Sequence, residues 1–272
     1  MKKKLPIYSH EQAQTYLYLK SYIPNFLNLL NPTPKQLRVI RDKIELRYSQ
    51  VGSELSKNIP FEAETTLIDL IWKVEERHLH SFQFVNFIDK ACLSISKNIP
   101  DRLLPKLRRT LMQLVMNFDK AKSRYRSYVA ELSVLNTLIS SESFDLIEVE
   151  YKLPNGKSAD YAFNSRKGLI LVEVESFDIS TEKISTEEDL ENHINARVEQ
   201  KLVNKLGGLP KEWNTPFYLI QVIWADYMKL YELRGYFKKT SKYANIAVKP
   251  MSIAQFFDQK GQIPRYAFLT TE

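Results

Sequence analysis

The chain has 272 residues, 44% of them hydrophobic and 12% aromatic, enough apolar material for one large or two modest domains with true cores. Only 7 glycines and 12 prolines exclude long low-complexity tracts, and the single cysteine, Cys92, excludes a disulfide framework or a cysteine zinc site and suits a reducing cytoplasm. The net charge of +7 is compatible with a polyanionic partner but is common among soluble proteins, no apolar run reaches membrane-spanning length, and Met1-Lys2-Lys3-Lys4 leads into polar residues, unlike a signal peptide.

The first part of the chain, to about residue 118, reads as helix after helix. His10–Leu30 carries apolar residues mostly at helical spacing, and Asn31-Pro32-Thr33-Pro34 breaks it. Lys35–Val51 follows. Pro60 and Glu62 open a further helix through Leu67, Leu70 and Val74, which Glu75-Glu76-Arg77-His78 interrupts before Phe82–Ile95. Pro100-Asp101 starts another through Leu103, Leu107, Leu111 and Leu114. From Asn117 to Ile139, Tyr125, Tyr128, Val129, Leu132, Leu135 and Leu138 form one stripe, with Glu131 beside it.

The pattern then changes from helical to alternating. Asp145–Leu153 alternates apolar and polar residues, Ala159–Phe163 is short and aromatic, and Leu169–Val174 is almost continuously apolar. Pro154-Asn155-Gly156 suits a tight hairpin, because Asn-Gly accepts positive φ, and Ser165–Gly168 is a second turn. These signals predict a three-strand meander. A polar linker leads to a helix at Glu187–Leu206, ended by Gly207-Gly208-Leu209-Pro210, and then to a buried strand at Phe217–Trp224. A mixed helical stretch at Asp226–Lys239, a weak strand at Ile246–Val248, a short helix at Ser252–Asp258 and a strand at Arg265–Leu269 complete the chain.

Three carboxylates sit on the second and third strands of the meander: Asp160 in the second, Glu173 and Glu175 at the end of the third. Residues two apart on a strand share a face. Two acids on one face at the end of a greasy strand need a partner, and a metal ion is the obvious one. His78 and His80 lack a partner acid at zinc-site spacing, and no Gly-rich phosphate loop or serine elbow is present.

The order helix, strand, strand, strand, helix, strand, with an acid in the second strand and acid-x-acid at the end of the third, resembles the PD-(D/E)XK nuclease superfamily over roughly residues 117 to 224. The resemblance implies an α/β chain: an N-terminal all-helical region (1–116) followed by a restriction-endonuclease-like α-β-β-β-α-β domain with a mixed sheet (117–272). It implies Mg²⁺ or Mn²⁺ held by Asp160, Glu173 and Glu175, with Glu131 of the preceding helix completing the site. The family's Pro-Asp is here Ala159-Asp160, and its lysine position falls on Glu175; Lys201 or Arg197 of the following helix could reach back instead, and Gln200 is a further candidate.

The implied activity is metal-dependent phosphodiester hydrolysis, most simply in DNA, in a cytoplasmic protein of bacterial defence or mobile-element biology. Hard oxygen ligands suit the ion, and a lysine or extra acid beside them would orient or deprotonate water. Lys157, Arg197, Lys122, Arg124 and Arg126 are the expected nucleic-acid contacts, part of wider basic clusters around Arg102–Arg109, Lys120–Arg126 and Lys229–Lys242 with interleaved aromatics. A charge run is more often a solvated helix face. Two other readings stay open: an inactive member of the same fold that binds nucleic acid or protein, and an interaction protein, or homodimer, built on the helical region.

Overall fold

The computed structural model describes residues 9–55, 66–116, 125–179, 184–238, 250–257 and 264–270. The N-terminal region is helical: α1 (His10–Tyr22), α2 (Pro24–Leu30), α3 (Pro34–Leu55), α4 (Leu67–Glu75), α5 (Leu79–Asn98) and α6 (Leu104–Met116), the last entered through a 3₁₀ turn at Asp101–Leu103. The expected single helix over 10–30 is two. Pro24 disfavours helical backbone at the residue before it, and Ile23 sits at φ −135°, ψ 58° while Pro24 takes the first position of α2.

That break is fastened from α5. The buried Asp89 carboxylate accepts hydrogen bonds from the backbone N–H of Asn25 (2.8 Å) and Phe26 (2.9 Å) and from Asn25 Nδ2 (2.6 Å), so it caps the first turn of α2 from outside. Replacing Asp89 with Ala strands the buried Phe26 N–H and the part-buried donors of Asn25 and should cost roughly 2–4 kcal/mol of stability, read by chemical denaturation. A loss below about 0.5 kcal/mol would contradict this capping role.

The second half begins with α7 (Tyr125–Ile139) and continues as β1 (Phe144–Lys152), β2 (Ser158–Ser165), β3 (Gly168–Asp178), α8 (Glu187–Leu206), β4 (Phe217–Asp226), α9 (Tyr227–Glu232), α10 (Arg234–Lys238), β5 (Pro250–Phe257) and β6 (Pro264–Thr270). The described strands form one mixed sheet in the order β1-β2-β3-β4-β5-β6. β1–β2, β2–β3 and β5–β6 are antiparallel; β3–β4 and β4–β5 are parallel. The helix after the third strand is therefore a crossover, which a parallel β3–β4 pair requires.

One difference from the sequence reading stands at the C-terminal end. The helix expected at Ser252–Asp258 is strand β5, paired to β4 on one side and β6 on the other. Seven residues of mixed apolar character fit either structure, and the free edge of β4 decides the matter by offering a ladder of unpaired backbone groups. The weak strand expected at 246–248 lies outside the described residues.

Both faces of the sheet are covered. Val172, Val174, Ile220, Val222 and Trp224 point into a buried cluster shared with α1–α7, while Leu171, Phe177, Leu219 and Ile223 point toward α8. Burial on both sides explains why β3 and β4 read as apolar runs rather than alternating ones. On α8, Leu190, Ile194, Val198 and Leu202 recur every four residues and are buried, each contributing roughly 1.5–3 kcal/mol. The first buried cluster runs without interruption from Leu19 on α1 to Trp224 on β4. The expected division after residue 116 falls at the edge of 117–124, outside the described residues.

Candidate active site

The site lies where β2 and β3 separate. Their ladder ends at the pair Tyr161–Val172, although β2 begins three residues earlier and β3 continues six residues further. The next register position would set Asp160 opposite Glu173 on one face. At this fork the Asp160 side chain takes over the strand's role: its Oδ2 accepts from the Val174 backbone N–H at 2.8 Å. The opening receives side chains from α7 on one side of the sheet and from α8 on the other.

From α8 come three cations at successive four-residue spacings, Arg197, Lys201 and Lys205, which the helix places in one row. Lys201 Nζ lies 2.9 Å from Glu173 Oε1 and 2.9 Å from Glu175 Oε2, so it bridges the two glutamates of β3. Lys205 Nζ lies 2.8 Å from Glu173 Oε1 and also donates to the Ser158 carbonyl at 2.6 Å. Arg197 reaches Glu175 Oε1 at 2.5 Å and the Ser176 carbonyl at 3.1 Å, with its guanidinium 4.6 Å from the centre of the Phe177 ring. Both oxygens of Glu175 are thus engaged. Glu173 is only 1% exposed, and its Oε2 is buried with no hydrogen-bond partner among the described residues.

From α7 comes Glu131. Burial and the nearby Asp160 and Glu173 carboxylates push its pKa well up, only partly offset by Lys201. Asp160 is raised to about 7 by burial and by Glu173, against the opposing pull of the Val174 N–H and the two lysines. Lys201 is raised too: burial disfavours its charge, but Glu173 and Glu175 outweigh it. The α7 end of the fork therefore holds its protons more strongly than free carboxyls do, and the α8 end is ionic. The Tyr161 hydroxyl donates to the Glu131 carbonyl at 3.1 Å and fixes α7 against β2.

Asp160, Glu173, Glu175, Glu131, Lys201 and Arg197 thus meet at one fork. Gln200 is exposed on the outer side of α8. Lys157, in the β1–β2 turn, donates to the Asn204 carbonyl near the end of α8. The same turn is held there by Asn155, whose Nδ2 donates to the Lys205 and Gly207 carbonyls, both at 2.9 Å, while Gly156 supplies φ +80°. Arg126 lies on the other face of the sheet, paired with Asp178, and Lys122 and Arg124 fall outside the described residues. The basic cluster of Arg102–Arg109 is occupied within the fold: Arg102 donates to the Ile147 carbonyl, Lys106 pairs with Glu148 and Arg109 with Glu150 along β1, and Arg108 donates to the Leu29 carbonyl of α2 at 3.0 Å.

Three contributors escape the sequence reading. Lys205 looks like a residue of a wet helix face, yet the spacing of Arg197, Lys201 and Lys205 marks a cationic row. Gln221 stands beside Glu175 in the parallel β3–β4 register, buried, with its Oε1 accepting from the Tyr236 hydroxyl at 2.8 Å. Glu150 adds a further negative charge near Glu131 from a left-handed backbone (φ 55°) within β1, a conformation costing roughly 1–2 kcal/mol for a non-glycine residue. No sequence signal announces that strain.

A divalent cation fits part of this set. Among the described residues no three carboxylate, histidine or cysteine side chains are arranged to hold a metal ion on their own. Mg²⁺ commonly uses only one or two carboxylates, with water and substrate oxygens completing the octahedron. Asp160 and Glu173 offer such a pair, and the unpartnered Glu173 Oε2 is a hard oxygen in need of a cation.

No protein-family model matches this chain, and no curated protein matches it. One solved structure shows a likeness: Pyrococcus furiosus SfsA in complex with Ca²⁺, at 16% identity, covering 56% of this chain and 65% of that one, with a TM-score of 0.25. No helix among the described residues is long and apolar enough to cross a membrane.

Proposed function

We propose that the fork between β2 and β3 is the active site of a metal-dependent nuclease of the PD-(D/E)XK type, hydrolysing phosphodiester bonds, with DNA the favoured substrate. The observation that carries this reading is the buried Glu173, with one oxygen held by two lysines and the other unpartnered, beside an Asp160 raised to about 7. Asp160 and Glu173 hold Mg²⁺ or Mn²⁺. When bound, the ion neutralises charge at the scissile phosphate and makes water more acidic.

The remaining roles belong to the chain itself. Lys201, kept charged by Glu173 and Glu175, orients water or neutralises the developing negative charge, filling the position that Glu175 occupies in the motif. Glu175 holds Lys201 and Arg197 in place. Arg197 is the nearest phosphate contact. Glu131, whose proton affinity is raised by burial and by the Asp160 and Glu173 carboxylates, adds a further acid at the α7 side of the fork.

Lys201→Met, assayed on supercoiled plasmid with Mg²⁺, should lower kcat by roughly 10²–10³-fold and leave KM within a few-fold. Unchanged kcat would remove Lys201 from the chemistry. One observation favours a second reading, a non-catalytic nucleic-acid binder: Glu175 is fully engaged and Glu173 half engaged by the protein's own cations. That reading predicts salt-sensitive DNA binding with no cleavage under either metal.

A further inference from the structure

The opposite face of the sheet carries a separate cleft, which does not depend on the nuclease reading. It lies between α4, the start of α5, the start of α7 and the end of β4, and encloses about 210 Å³. Its floor is aromatic. Phe84 packs edge-on against both Trp224 (ring centres 5.8 Å apart) and Tyr125 (6.3 Å). Its rim is cationic or basic, with Lys73, His78 and Arg126. Arg126 lies 5.8 Å from the Trp224 ring centre, donates from its Nε to the Tyr125 hydroxyl at 3.2 Å, and pairs with Asp178, which answers one positive charge. Lys73 and His78 are exposed at the mouth.

An aromatic floor beneath a basic rim complements a flat ring that carries an anion. The volume is below the roughly 300–1,000 Å³ typical of sites that enclose a drug-sized ligand, so the cleft takes a small group and leaves the remainder in solvent. Arg is suited to this arrangement because its planar guanidinium can stack on a ring and bind phosphate through paired N–H donors. We propose that this cleft binds a nucleoside monophosphate group, the base against Tyr125 and the small exposed parts of Phe84 and Trp224 (5% and 6% of each residue), and the phosphate between Lys73 and Arg126. Free mononucleotide and the 5′-phosphorylated end of a strand share this chemistry.

The test is titration calorimetry on the full chain in EDTA with adenosine 5′-monophosphate, adenosine, inorganic phosphate, and one short oligonucleotide with and without a 5′-phosphate. The proposal expects adenosine 5′-monophosphate to bind at least tenfold more tightly than adenosine or phosphate. If the 5′-phosphate also strengthens oligonucleotide binding tenfold, the cleft takes strand ends; if it does not, the cleft takes the free nucleotide. Lys73→Glu and Arg126→Gln, checked for unchanged circular dichroism, should each weaken binding tenfold or more. The proposal is overturned if the nucleotide binds no better than phosphate and the 5′-phosphate has no effect, or if folded variants bind as the parent does.

Discussion

Asp160→Asn should abolish cleavage, by roughly a thousandfold or more, while making the protein at least as stable as its parent at pH 8. The two halves of this expectation share one cause. Asp160 is raised from an ordinary 3.8 to about 7 because it is buried beside Glu173. A folded carboxyl that keeps its proton to higher pH than the unfolded one contributes stability that is complete below about pH 4 and is lost as pH rises through 7. Above that window the parent carries an ill-solvated charge. Asparagine carries none, and its side-chain oxygen can still accept from the Val174 N–H, so the fork keeps its geometry. The melting-temperature difference, variant minus parent, should therefore grow from pH 5 to pH 8 without metal. Loss of cleavage accompanied by a large stability loss at pH 8 would mean that Asp160 serves the fold and not the chemistry.

Glu173→Ala should have the opposite effect on stability, lowering it by roughly 2–4 kcal/mol. Removing one partner of a buried ion pair leaves the other charges uncompensated. Here two ammonium groups, Lys201 and Lys205, lose a shared acceptor at 2.9 and 2.8 Å. Both lysines keep partial solvent access, 28% and 22% of their side-chain surface, so water relieves part of the cost and the estimate lies below the roughly 3–5 kcal/mol of a fully enclosed pair. For a chain of this size the melting temperature should drop by roughly 5–15 °C. Glu173→Gln, which keeps an acceptor, should lose about half as much. A change under about 1 kcal/mol for the alanine variant would show that the lysine row holds itself in place without Glu173.

Much of this architecture is legible in the residues because local signals and tertiary demands agree. Asn155-Gly156 specifies the β1–β2 hairpin, the apolar runs of β3 and β4 reflect burial on two faces, and Thr186 and Asp189 form the reciprocal cap that starts α8 at Glu187. Legibility fails where only a neighbour decides. Ser252–Phe257 becomes a strand because β4 offers an edge. Lys205 turns inward because Glu173 is there to receive it, and Arg102, Lys106 and Arg109 turn toward β1 because Ile147, Glu148 and Glu150 present acceptors. The site follows the same rule. Acid-x-acid spacing puts Glu173 and Glu175 on one face, but the parting of β2 from β3, through which α7 and α8 reach them, belongs to no local pattern. Arg126, by contrast, reads as a strand contact and lies on the far side of the sheet.

The central claim is that the acids and lysines at this fork hydrolyse phosphodiester bonds with the help of a divalent cation. Incubating supercoiled plasmid with the purified parent and with Asp160→Asn, in Mg²⁺, in Mn²⁺ or in EDTA, addresses it most directly. Nicked or linear product from the parent in Mg²⁺ or Mn²⁺ but not in EDTA, and none from the variant, is the predicted result. Equal cleavage by the variant, or an intact plasmid with the parent in both Mg²⁺ and Mn²⁺, would contradict it.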